Sequence, residues 1–118
     1  MAAKDDLGRR GEEVAALWLE RHGYQVLDRN WRCRSGELDL VVRRERTTVF
    51  VEVKTRTSVA FGHPFEAITA VKANRLRRLA AEWCTTRDEP PGDVRIDAIA
   101  VLDAWSAAPV VEHLAGVA

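Results

Sequence analysis

The feature that most constrains this chain is a pair of β-branched and apolar runs, residues 38–42 and 49–53, joined by a polar connection over residues 43–48. Two such runs at this separation read as a β-hairpin. A turn centred between Glu45 and Arg46 places Asp39 opposite Glu52, Glu37 opposite Lys54 and Val41 opposite Phe50. The other face of both strands is then Leu38, Leu40, Val42, Val49, Val51 and Val53, with no polar member. Slipping the pairing by one residue would exchange the faces and destroy this sorting. The partition therefore sets the register, although Glu45-Arg46 has neither the Gly nor the Asn that two-residue turns favour.

Around the hairpin the periodicity changes. Leu7, Val14, Leu17 and Trp18 recur at helical spacing between residues 5 and 21; Asp5 and Asp6 suit the positive end of such a helix, and His22-Gly23 suits its stop. Residues 24–30 read as a first strand, with Tyr24 and Val26 inward, and residues 58–64, with Gly62 and Pro64, as a loop. A second helix is expected over residues 69–86, with Ile68, Leu76, Leu79, Ala80 and Trp83 on its apolar stripe. Pro90-Pro91-Gly92 interrupts the chain before a largely buried strand at 94–102 and a short one at 110–114. The order is an α/β domain on a mixed sheet. Its 118 residues suit one domain, 1–118, and 47% hydrophobic content is too high for a disordered chain. No signal-peptide core or bilayer-length apolar run is seen, and Cys33 and Cys84 match no zinc spacing. The expectation is a cytoplasmic protein with reduced thiols and no membrane partner.

A net charge of zero, from 18 Lys+Arg and 18 Asp+Glu, hides a segregation. Lys54, Arg56, Lys72, Arg75, Arg77 and Arg78 face a single acid, Glu66, between residues 54 and 78, whereas acids outnumber bases after residue 79. The middle of the chain reads either as a polyanion-binding face or as a solvated, Arg-rich surface.

The hairpin pairing carries the chemistry. Opposed residues hold their Cβ atoms roughly 4.5–5.5 Å apart, and two like charges about 4 Å apart repel by about 4 kcal/mol at an effective dielectric near 20. Asp39 beside Glu52 therefore calls for a cation. A divalent metal relieves the repulsion and keeps waters for a phosphate substrate. Lys54, two residues after Glu52, projects from the same face, where an ammonium orients or deprotonates a water or stabilises charge on phosphorus. The alternative from the same pattern is an ordinary polar face, with Glu37–Lys54 a surface ion pair and each acid partnered by an Arg.

Gly11-Glu12, Gly36-Glu37-Leu38-Asp39, Phe50-Val51-Glu52-Val53-Lys54-Thr55-Arg56 and Arg95-Ile96-Asp97 resemble, in this order, the motif series of the uncharacterised YraN-like family. That family is similar to the PD-(D/E)xK nucleases, particularly the archaeal Holliday-junction resolvases, and the likeness covers about residues 7–103. It implies a restriction-endonuclease-like αβββαβ core. It also implies Mg²⁺ or Mn²⁺ held by Asp39, Glu52, the Val53 carbonyl and Glu12, with Lys54 assisting the nucleophilic water. Glu12 also reads simply as an exposed helix glutamate beside Glu13. Leu38 stands where the superfamily's name motif has proline; the carboxylate that carries the chemistry is kept.

Arg34, Arg56, Lys72, Arg75 and Arg78 are the candidate phosphate contacts, which would position a strand without reading its sequence. Glu37, Arg95 and Asp97 are candidates to brace the site from behind, Arg95 and Asp97 reading equally as a buried pair. The four tryptophans, scattered through different elements, read as packing residues, and His63 either as a loop histidine that approaches substrate or as an idle one. The function expected is a metal-dependent endonuclease on DNA, branched or structured DNA included; the alternatives are a non-catalytic nucleic-acid-binding module and a homodimeric scaffold. By the same resemblance, cutting two strands implies a homodimer.

Overall fold

The computed structural model describes residues 3–58, 60 and 62–117. Helix α1 (Ala3–Arg21) leads into strands β1 (Gln25–Cys33), β2 (Gly36–Arg44) and β3 (Thr47–Arg56). A 3₁₀ turn (Pro64–Ala67), helix α2 (Ala70–Thr85), β4 (Asp93–Leu102) and β5 (Val110–Leu114) follow. Two positions of the loop expected at residues 58–64, Val59 and Phe61, lie outside the described residues. The strands form one five-stranded sheet in sequence order, antiparallel except for the parallel pair β3–β4. The αβββαβ order is the expected one, with β5 added at the edge. Among the described residues no helix is long and apolar enough to cross a membrane.

The sheet is buried on both faces, which is why its central strands are apolar nearly throughout. Leu40, Val42, Val49, Val51, Ile99 and Val101 pack with Val14, Ala15 and Leu19 of α1. Val41, Phe50 and Ile96 pack with Leu76, Leu79, Ala80 and Trp83 of α2. The stripe expected on α2 is thus the one buried, with Ala73 in place of Ile68. On α1 the buried side is rotated from expectation: Leu17 is exposed and Leu19 enclosed. Trp105, expected to pack, is 67% exposed.

The hairpin pairs as the sequence partition requires, from Arg44–Thr47 through Val41–Phe50 to Leu40–Val51. Its turn costs Glu45 a left-handed backbone, φ 56°, about 1–2 kcal/mol for a side chain with a Cβ. Past Leu40 and Val51 the β2–β3 ladder ends, while β3 stays paired with β4 as far as Arg56–Leu102. The sheet forks there. Beside the fork Asn30 of β1 takes a left-handed conformation, φ 49°. Leu38 breaks the expected face: it packs with Val41 and Phe50 on the α2 side rather than with Leu40 and Val42.

Gly11 sets how closely α1 approaches the sheet. It lies on the helical stripe of Leu7, Val14, Ala15 and Trp18, and a Cβ there would overlap the Thr55 hydroxyl and sit 2.7 Å from its Cγ2. Thr55, on β3, is short and β-branched, so it has little freedom to yield. Gly11→Ala is therefore expected to destabilise the fold by about 2 kcal/mol in urea denaturation, although alanine is the better helix former by about 1 kcal/mol. A stability equal to or above the parent's would show that the helix is not seated by this contact.

Candidate active site

The fork collects side chains from four elements. Asp39 of β2 sits at the parting of the strands, where its Oδ2 accepts the Val53 backbone N–H at 2.8 Å. A side chain thus takes the place of the next ladder bond. Glu12, one residue beyond the close-packed Gly11, comes from α1; one carboxylate oxygen each of Glu12, Glu37 and Asp39 lie within 4.8 Å of one another. Glu52 of β3 adjoins Asp39, and Asn30 of β1 and Asp39 both adjoin Glu12. From α2, the Lys72 ammonium reaches Glu52 Oε2 at 3.0 Å, and Lys54 Nζ lies 4.0 Å from the same oxygen. The Glu52 side chain is only 11% exposed.

The electrostatics follow from crowding acids where water is scarce. Burial, then the hydrogen bond and charge of Glu52, push the Asp39 carboxyl up to about 9. Burial also works against the Glu52 carboxylate, but the Asp39 hydrogen bond and the Lys72 ammonium outweigh it and hold Glu52 below the ordinary range. Two acids this close disfavour double ionisation, so Asp39 is the one pushed toward its protonated form and Glu52 the one held toward its ionised form. Burial and then the neighbouring Glu37 charge raise Glu12. Burial, followed by the hydrogen bond with Lys72, lowers Lys54 toward the free amine; Lys72 moves the other way, because that bond and Glu52 outweigh its own desolvation.

Asp39→Asn mimics the protonated acid: the amide oxygen can accept from Val53 and the amide N–H can donate to Glu52. The folded chain keeps a proton on Asp39 that the unfolded chain, near the ordinary 3.8, releases, so this group's contribution to stability falls as pH rises from about 4 toward 9. In chelator-treated buffer Asp39→Asn is expected to melt above the parent at pH 8 by about 4 °C or more, the shift that about 1 kcal/mol produces in a domain near this size. The gap should close near pH 4. Parallel melting curves across that range would refute the raised Asp39 carboxyl.

Of the residues singled out from sequence, Glu12, Asp39, Glu52 and Lys54 are brought together, with the Val53 N–H engaged by Asp39. Glu37 joins the acids directly, and its ion pair is with Arg32 at 2.7 Å, across β1–β2, rather than with Lys54. Lys72 is held by Glu52. Arg34 is exposed in the β1–β2 turn, Arg56 at the end of β3, and Arg75 and Arg78 on the outer side of α2. Arg95 and Asp97 form the buried pair. Asp97 is fully enclosed and takes two bonds from Arg95 (2.8 and 2.9 Å), one at 2.6 Å from His113 Nε2 and one at 3.0 Å from the Gly116 N–H. Arg95 also donates to the Tyr24 hydroxyl at 2.8 Å. His63 caps the 3₁₀ turn, accepting the Phe65 N–H, and pairs with Glu112 at 3.0 Å. Asn30, inside β1 at φ 49°, is the residue missed from the sequence; the tolerance of asparagine for positive φ was its only signal.

A mixed α/β domain with a forked sheet and an acid–lysine cluster in the fork is the class defined by these observations. The chain belongs to the uncharacterised protein family UPF0102, whose model matches residues 11–101. It is 62% identical over 117 residues to a UPF0102 protein of Leifsonia xyli subsp. xyli, covering 99% of each chain. It is 58% identical over 117 residues to one of Beutenbergia cavernae, again covering 99% of both. Over 118 residues it is 52% identical to one of Streptomyces griseus subsp. griseus, with 99% coverage of each.

Proposed function

We propose that this chain is a Mg²⁺- or Mn²⁺-dependent endonuclease acting on DNA. The observation that carries the reading is the meeting of Glu12, Glu37 and Asp39 within 4.8 Å, joined through Asp39 to Glu52 and its two lysines. The donor set fits the cation: carboxylate oxygens alone suit a hard divalent ion, and no thiol or imidazole lies among them. Glu12, Asp39 and Glu52 would hold it, with Glu37 and the Val53 carbonyl beside them. When bound, the ion supplies a Lewis acid for a phosphoryl oxygen and acidifies coordinated water.

The chain's own groups do the rest. Lys54, desolvated and lowered toward its free amine, accepts a proton from the attacking water or stabilises charge building on phosphorus. Water attacks in line, the P–O bond to the leaving oxygen breaks, and solvent protonates that oxygen. Arg34, Arg56, Arg75 and Arg78 are exposed around the fork's elements and would grip backbone phosphates, which places a strand without selecting its sequence. Paired cuts in a branched substrate need two such sites, hence a two-fold dimer.

Titration of Mg²⁺ and Mn²⁺ against linear, single-stranded, flap and four-way DNA tests the reading. The expected result is cleavage that requires the ion and is strongest on one structured substrate. Binding that weakens steeply with salt but never proceeds to cleavage would instead identify a non-catalytic module, and no binding at all would remove nucleic acid from the account.

A further inference from the structure

We propose that Lys72 is a built-in counter-ion that a divalent cation must displace from Glu52, so that this ammonium sets the threshold for loading the site. The inference rests on the metal-site reading above and concerns its regulation. Glu52 Oε2 is 3.0 Å from Lys72 Nζ, closer than the 4.0 Å to Lys54. One oxygen each of Glu12, Glu37 and Asp39 lie within 4.8 Å of one another, and among the described residues these three acids have no lysine as an ion-pair partner; Glu37 pairs with Arg32 instead. A unit positive charge at hydrogen-bonding distance from a ligand oxygen opposes a second cation on that oxygen.

The anchoring of Lys72 suits displacement. Its backbone is fixed in the first turn of α2, where the Thr69 hydroxyl accepts the Lys72 N–H at 3.2 Å. Its ammonium rides on a flexible four-carbon stem, and the side chain is 30% exposed, against 15% for Lys54. The more enclosed lysine stays by the site, while the more exposed one can swing outward. Its release leaves the ammonium on the helix that carries Arg75 and Arg78, where a backbone phosphate would find it.

Binding of Mn²⁺ alone to the full chain, measured by the loss of the free-ion EPR signal, tests this without any cleavage assay. Lys72→Met is expected to bind Mn²⁺ about tenfold more tightly than the parent, Lys72→Gln to behave like Lys72→Met, and Lys72→Arg to stay within about twofold of the parent. Thermal melts establish that each variant is folded. Equal or weaker Mn²⁺ binding by both Lys72→Met and Lys72→Gln, with the parent still binding, would overturn the counter-ion role and leave the metal site standing. Failure of every chain to bind Mn²⁺ at millimolar concentration would overturn the metal site, and this inference with it.

Discussion

Glu52→Gln is expected to lower metal-dependent DNA cleavage by about 10³-fold while moving the unfolding midpoint little, and Lys54→Met to cost about 10²–10³-fold. The two losses have different origins. Glu52 is the acid that faces both Asp39 and Lys72, so neutralising it removes the proposed metal ligand and the charge that orders its neighbours. Lys54 lies 4.0 Å from that carboxylate and is only 15% exposed, so methionine fills its space but supplies neither a proton acceptor nor a positive charge. Substrate affinity, read from binding of uncleaved DNA, should change less than turnover for Lys54→Met, because the proposed function assigns the phosphate contacts to the exposed arginines. Rigorously purified variants that cleave as fast as the parent would show that the fork is not the catalytic centre.

Asp97→Ala is expected to destabilise the fold by about 3–5 kcal/mol, a large part of what holds a domain of this size. Asp97 has no exposed surface and accepts from Arg95, His113 and Gly116. Alanine would leave each of these donors facing a void. Burial alone would raise the Asp97 carboxyl, but the Arg95 bonds, then those of Gly116 and His113, outweigh it and hold it below the ordinary 3.8. Its contribution is therefore complete above that value and is lost as pH falls through the lower folded one. Urea titrations at pH 7 and at pH 3 check both statements: the gap between parent and Asp97→Ala should be wide at the first and narrower at the second. Cleavage per folded molecule should survive the substitution at low temperature. A fall in turnover with full folding would move Asp97 from scaffold to site.

The hairpin was legible because alternate residues of both strands face different layers and leave a period-two pattern that only one register satisfies. The Asp39, Glu52 and Lys54 grouping follows from it. Three things did not. Leu38 packs with Val41 and Phe50 in the α2 layer, just past the end of the β2–β3 ladder, which strict alternation along β2 does not foresee. Glu37 joins the acids and pairs with Arg32 because its nearest neighbour past the fork is β1, not β3. Lys72 meets Glu52 through the packing of α2 on the sheet, a contact between segments 20 residues apart that periodicity within either one cannot express. The spacing rule for α2 gave its buried stripe but not which lysine would turn back over the helix start.

The unequal support of β3 has a practical consequence. Its first half is clasped on both sides, whereas the half bearing Glu52 and Lys54 leans on β4 alone. The candidate site is therefore moored to the parallel neighbour, and the closed end of the hairpin at Glu45–Arg46 is a remote handle. A fluorophore or an inserted peptide attached there would report on the molecule without disturbing the fork.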